Sequence, residues 1–144
     1  MTMQIVLGTL YLSLSTLFHV AVVAASIPVF HRLSEAFARQ RSVLRNVALI
    51  SFGLVALVFA HTVQIWFWAG VYDRVGAFED FPTSFYFATV TYTTLGYGDL
   101  VLGPALRIFA TFGAITGLLA FGISTAFLIA LLNRLFSFQM PLDR

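Results

Sequence analysis

Three stretches of the chain, Met1 to Phe30, Asn46 to Tyr72 and Ile108 to Leu132, contain no Asp, Glu, Lys or Arg. A helix needs about 20 apolar residues to cross a hydrocarbon layer about 30 Å thick, and each stretch is long enough. Composition agrees: of 144 residues 60% are hydrophobic and only 10% charged, with a mean hydropathy of +0.93. The solvent this sequence is written for is therefore a bilayer. The first stretch begins without a positive charge and is much longer than the apolar core of a secretory signal, so it reads as a retained membrane helix. Without cysteine, disulfides and thiolate chemistry are excluded.

The eight basic residues are all arginine, and the formal net charge of +2 is too small and dispersed for nucleic acid to be a partner. Their placement orients the chain. Arg32, Arg39, Arg41 and Arg45 share the connection after the first helix with only Glu35, which makes that connection cytoplasmic. The N-terminus is then outside, the second helix runs outward and the C-terminus is cytoplasmic. Trp66, Trp68 and Tyr72 fall at the outer end of the second helix and read as interfacial aromatic anchors. The expected location is a multi-pass position in a cytoplasmic (inner) membrane.

The segment from Phe81 to Gly98 is apolar enough to enter the membrane but unsuited to crossing it. Half of its eighteen residues are Pro, Ser, Thr or Gly, and a crossing would put Arg134 and Arg144 outside. By propensity FYFATVTYTT resembles a strand. A lone strand at membrane depth would leave its backbone groups unpaired at several kcal/mol each, so a helix is expected instead. Asp80 to Pro82 can start it, with acidic residues at the positive end of the dipole and proline in the first turn. From Pro82 to Thr93 it spans roughly 18 Å, half the bilayer, and its partly negative C-terminal end points to the membrane centre. Irregular backbone follows at Thr94 to Gly98, tolerable there only if buried in protein or lining a water-filled path.

Backbone carbonyls can replace the water of a dehydrated cation without the fixed charge that would hold it too tightly. Aiming successive carbonyls one way calls for alternating backbone handedness, which Gly96 and Gly98 permit. Thr94 adds a hydroxyl at the inner end, Leu95 and Tyr97 are expected to brace the loop against surrounding helices, and Asp99 closes it at the outer mouth. TTLGYGD, residues 93 to 99, resembles the TVGYGD selectivity-filter signature of potassium channels. The order outer helix, pore helix, filter, inner helix resembles bacterial two-helix pore domains of the KcsA type over about Asn46 to Leu132, with one extra helix before them. The resemblance implies a homotetramer that conducts potassium ions passively, with Thr94, Leu95, Gly96, Tyr97 and Gly98 as the ion-binding residues, mainly through backbone carbonyls, and no cofactor besides the permeant ion. GLLAFGISTA at 117 to 126 resembles the inner helix of those channels. Carried over by position, Gly117 and then Gly122 are candidate gating hinges and Thr125 faces the cavity, although Gly113 and Gly117 also form a GxxxG packing pattern. Four positions depart from the family: Leu95 replaces the usual valine, Val90 stands at a position where some members have glutamate, and Tyr86 and Phe87 stand where many have paired tryptophans. The braces of Tyr97 and Asp99 are accordingly different or missing.

The expected architecture is thus an all-α membrane protein with three transmembrane helices, a re-entrant pore helix and a filter loop, assembling as a tetramer. Its segments are an N-terminal helix at 1–30, a basic loop at 31–45, a pore domain at 46–134 and a short tail at 135–144. Within the pore domain the outer helix covers 46–72, the pore helix 82–93, the filter 94–98 and the inner helix 105–133. The partners implied are potassium ions, lipid and other copies of the chain. His19, His61 and Gln64 are polar groups inside spans, read as ordinary interhelical hydrogen bonds in preference to a proton sensor, and His31 as interfacial. Two other classes compete with the channel: an ion-translocating subunit of a larger transporter, and a non-conducting structural or signalling membrane protein. An enzyme is not expected, since no nucleophile, base and orienting group converge and no metal-ligand spacing occurs.

Overall fold

The computed structural model describes residues 1–37 and 42–137, and among them there are four α-helices and no strand. These are α1 (Thr2–Ala36), α2 (Ser42–Arg74), α3 (Phe81–Tyr92) and α4 (Arg107–Ser137). Three of them, α1, α2 and α4, are long and apolar enough to cross a membrane. Each outruns its charge-free stretch. The residues after Phe30, HRLSEA, include good helix formers, so α1 continues to Ala36 and much of the expected basic loop is helical. Arg39 and Arg41 lie outside the described residues, as do residues 138–144 of the tail.

The contacts between helices fix their directions. Gln4, His19 and His31 of α1 meet Pro104 and Phe109, Ser124, and Arg134 in that order, so α1 and α4 run parallel. Tyr11 of α1 meets Trp68 of α2 and His19 meets His61, so α2 runs antiparallel to both. The short α3 lies against α2 and α4. The chain start therefore sits at the same end of the bundle as the 75–106 connection that holds the glycine-rich loop.

The extra first helix is built into this bundle. Gln4 Oε1 accepts from the Phe109 amide at 3.2 Å, capping a donor in the first turn of α4, while its Nε2 donates to the Pro104 carbonyl at 3.3 Å. About one turn of helix nearer the middle, Gly8 leaves room for the Phe112 ring where any β-carbon would collide with it. Small residues that admit a neighbour this closely are how helices attract in lipid, where burying apolar surface gives no driving force.

Aromatic side chains fill the end of the bundle near α3. Trp68 and Tyr72 are fully buried, with ring centroids 5.6 Å apart, and Tyr72 packs edge-on to Phe87 at 5.2 Å. The Tyr72 hydroxyl donates to the Ala110 carbonyl at 3.2 Å. This corrects the expectation of an interfacial belt: Trp68 and Tyr72 are core residues, because α1 and α3 cover the faces they occupy. Trp66 alone of the three is exposed, beside Phe81 and Phe85. Such pairs contribute roughly 0.5–1.5 kcal/mol each beyond their buried area, so this cluster is a firm seat for α3.

Candidate functional site

The start of α3 follows from its sequence. Asp80 has the extended backbone of an N-cap (φ −143°, ψ 157°), accepts from the Thr83 amide at 2.8 Å and from its hydroxyl at 3.0 Å, and Pro82 follows within the first turn. Twelve residues long, α3 spans roughly 18 Å, about half the hydrocarbon thickness. It ends at Tyr92, one residue before the expected end, with Thr93 as its C-cap.

Past the cap the chain turns back on the helix. The Leu95 and Gly96 amides both donate to the Val90 carbonyl, at 3.0 and 3.3 Å, and the Thr94 amide donates to Thr91. Val90 therefore acts here through its backbone, anchoring the loop that follows. From this anchor a left-handed φ occurs at every second residue: 59° at Thr94, 56° at Gly96 and 78° at Gly98. This is the alternation a carbonyl column needs. The two glycines meet it without strain, whereas Thr94, β-branched, holds a conformation that a loop under no constraint would abandon. A β-carbon on Gly96 or Gly98 would touch nothing, so backbone conformation and not space is what demands glycine there.

Residues 93 to 99 are exposed in the isolated chain. Leu95 is 54% and Tyr97 67% accessible, so the expected bracing of these two side chains by surrounding helices does not come from their own chain. Asp99 is braced, by a residue the sequence comparison had marked as a departure. The Tyr86 hydroxyl donates to Asp99 Oδ2 at 2.7 Å. That bond, with the neighbouring negative charge, holds the Tyr86 phenol above its ordinary pKa. Phe87, the other departure, is buried between Tyr72 and Phe78.

The candidate inner-helix residues separate into two groups. Gly117 is pressed against the Tyr92 carbonyl, where a β-carbon would overlap it, and Gly113 leaves space for the Tyr72 hydroxyl. This is the packing use of GxxxG, and α4 is continuous through both. Gly122 has open space around it, and Thr125 is exposed with its hydroxyl bonded to the Phe121 carbonyl at 2.8 Å.

His19 and His61, expected to bond between helices, meet with ring centroids 5.0 Å apart. They belong to a closed circuit of side chains from all four helices. His19 and Tyr92 both contact Gln64 Oε1 at 2.8 Å, His61 Nδ1 contacts the Tyr92 hydroxyl at 2.8 Å, and Ser124 Oγ stands 3.0 Å from the Nε2 of both histidines. Tyr92 and Ser124 were missed in the sequence. The only signal for them was weak: hydroxyls inside or beside spans, which bond across helices. His31 is exposed beside Arg134, at 3.3 Å.

The family whose description is ion channel matches residues 47–134. The chain is also similar, at 28% identity over 97 residues, to the A-type voltage-gated potassium channel KCND3 of Rattus norvegicus, Oryctolagus cuniculus and Homo sapiens. The matched part is 67% of this chain but only 14% of those relatives, so the likeness concerns one portion of them. No solved structure matches the chain. With the family spanning α2, α3, the loop and α4, this chain belongs to the ion channel family.

Proposed function

We propose that the chain is a subunit of a homotetrameric potassium channel in which Thr94, Leu95, Gly96, Tyr97 and Gly98 form the selectivity filter and potassium ions pass down their gradient. The observation that carries this reading is the left-handed backbone at Thr94, Gly96 and Gly98, directly after a half-length helix whose C-terminal end faces the same place. Four such loops around an axis supply carbonyl rings that replace an ion's hydration shell, while the helix ends favour positive charge. Membership of the ion channel family and the likeness to a voltage-gated potassium channel support the choice of ion.

The exposed side chains of Leu95 and Tyr97 support assembly by symmetry, since one loop cannot surround an ion and these side chains find partners on neighbouring copies. In this reading the N-terminus and the 75–106 connection face outside, and Asp99 forms a ring of carboxylates at the outer mouth that concentrates cations. Gly122, with free space around it, is the better hinge candidate, and Thr125 faces the cavity.

The test is flux from liposomes holding the purified protein. Potassium is expected to outpace sodium, and the detergent-solubilised complex to have the mass of four chains. Equal sodium flux would remove the selectivity assignment, and a complex containing a larger partner would favour the transporter-subunit reading.

A further inference from the structure

The side-chain circuit at the centre of the subunit is one hydrogen short of being complete. It contains five contacts: His19 Nδ1 to Gln64 Oε1, Gln64 Oε1 to Tyr92, Tyr92 to His61 Nδ1, His61 Nε2 to Ser124, and Ser124 to His19 Nε2. Five hydrogen bonds need five hydrogens. With both imidazoles neutral, each supplies one and the Tyr92 and Ser124 hydroxyls one each, which makes four. Gln64 supplies none, because its Nε2 meets the Ser15 carbonyl and hydroxyl oxygens, both at 3.0 Å. Turning the amide over would set its oxygen against the Ser15 carbonyl oxygen at that distance, two acceptors facing one another.

The location of the deficit follows from Gln64 Oε1, which can only accept. His19 Nδ1 and Tyr92 must both donate to it, so the Tyr92 oxygen must accept from His61 Nδ1. Each histidine has then committed its single hydrogen at Nδ1. The Ser124 hydroxyl is left between two bare Nε2 atoms and can donate to only one. One further proton, on the Nε2 of either His19 or His61, completes the circuit, and rotation of the Ser124 hydroxyl makes the two placements equivalent partners. A second proton would put two cations 5.0 Å apart between ring centroids. The titratable groups facing the circuit are His19 from α1, His61 from α2 and Tyr92 from α3. From α4, which has no ionisable side chain between Ile108 and Asn133, comes only Ser124.

We propose that this circuit is a binding site for one proton, shared between His19 and His61 through Ser124, that sets how firmly α4 is held to α1 and α2 beside the inner end of α3. Tyr92 is the last residue of α3, two before Thr94, and its carbonyl seats Gly117 of α4. Ser124 lies on α4 between Gly122 and Thr125. Ser124 ties α4 to His19 of α1 and to His61 of α2, and His61 in turn holds Tyr92 of α3, so movement of α4 away from α1 and α2 must part Ser124 from both histidines, and the completed circuit opposes it. Acidification therefore lowers ion flux, a clause that rests on the channel reading above.

The test separates the two. The full chain, labelled with 15N-histidine and reconstituted in lipid, is titrated by NMR from about pH 8 to about pH 4, with His31 as the histidine outside the circuit. The expected result is a single step in which His19 and His61 move together and take up one proton between them. Independent uptake of a full proton by each, or no uptake by either, would overturn the site. Potassium efflux from liposomes is expected to fall about tenfold across the same step, as for the gain of a charge-assisted hydrogen bond. In Ser124→Ala the two histidines should titrate separately and the acid dependence of flux disappear. A one-proton step with flux that does not fall overturns the coupling to the pore, whereas a wild-type protein without flux at any pH defeats the channel reading and leaves the NMR result standing.

Discussion

Two polar regions of this apolar molecule solve the same problem in opposite ways. The circuit of His19, His61, Gln64, Tyr92 and Ser124 pairs side chain with side chain inside one chain, and His19 and Gln64 are almost wholly buried. The loop at residues 93 to 99 keeps its side chains exposed and offers backbone, with its conformation fixed by two amides on the Val90 carbonyl. Polar groups at membrane depth are costly unless satisfied. The circuit takes its partners from its own chain and lacks only one hydrogen, whereas in the proposed tetramer the loop takes its partners from further copies and an ion. A region that a fold completes for itself serves to hold it together; one left incomplete is where other molecules belong.

Substitutions should divide along that line. The largest effect is expected at Gly96→Ala, which forces an alanine to a φ of 56° and costs about 1–2 kcal/mol locally. Flux should fall to background while helix content by circular dichroism and the unfolding temperature in detergent stay near wild type. A lost fold would erase the distinction between the two regions. Next, Gln64→Leu strands His19, Tyr92 and Ser15 without their shared partner, at about 1–3 kcal/mol for each buried group left unpaired. Here the unfolding temperature should drop markedly, and unchanged stability would mean that the circuit holds nothing.

Smaller effects should appear at the loop's edge. Tyr86→Phe removes the hydroxyl from Asp99 and is expected to hasten loss of potassium flux over time, with only a small loss of stability. The same bond has a pH signature. Because the phenol's pKa is raised in the fold, the contribution is fully present below the ordinary tyrosine value and is lost as pH rises through the higher, folded one. Wild type and Tyr86→Phe should therefore converge only in strongly alkaline solution. Least affected is Leu95→Val, which trims an exposed side chain behind the backbone and should leave the flux ratio of potassium to sodium as it was.

The two regions also differ in how much of them could be read from the amino-acid order. TTLGYGD is contiguous, and its message is carried by residue types whose backbone preferences are local, so the position of the loop and the half-length helix before it were visible. The three spans were visible for the same reason, since bilayer thickness imposes a length on any charge-free run. The circuit was visible only as His19, His61 and Gln64, polar groups inside spans, and its pairing was not. Its members are separated by as many as 105 positions, and nothing local distinguishes Ser124 from the other hydroxyls of its helix. The burial of Trp68 and Tyr72 was hidden likewise, because an aromatic near a helix end suits both an interface and a core, and only the placement of α1 and α3 decides between them.

Gln4 has a consequence for how the molecule is made. It caps the beginning of α4, yet about a hundred residues separate it from Pro104 and Phe109. During synthesis, which proceeds at about 5–20 residues per second, α1 is in the membrane for some seconds before its partner exists. Until α2 is made Ser15 and His19 lack Gln64, and until α4 follows His19 still lacks Ser124. The polar face of α1 is thus covered in two steps, by α2 and then by the last helix, and only the second completes it.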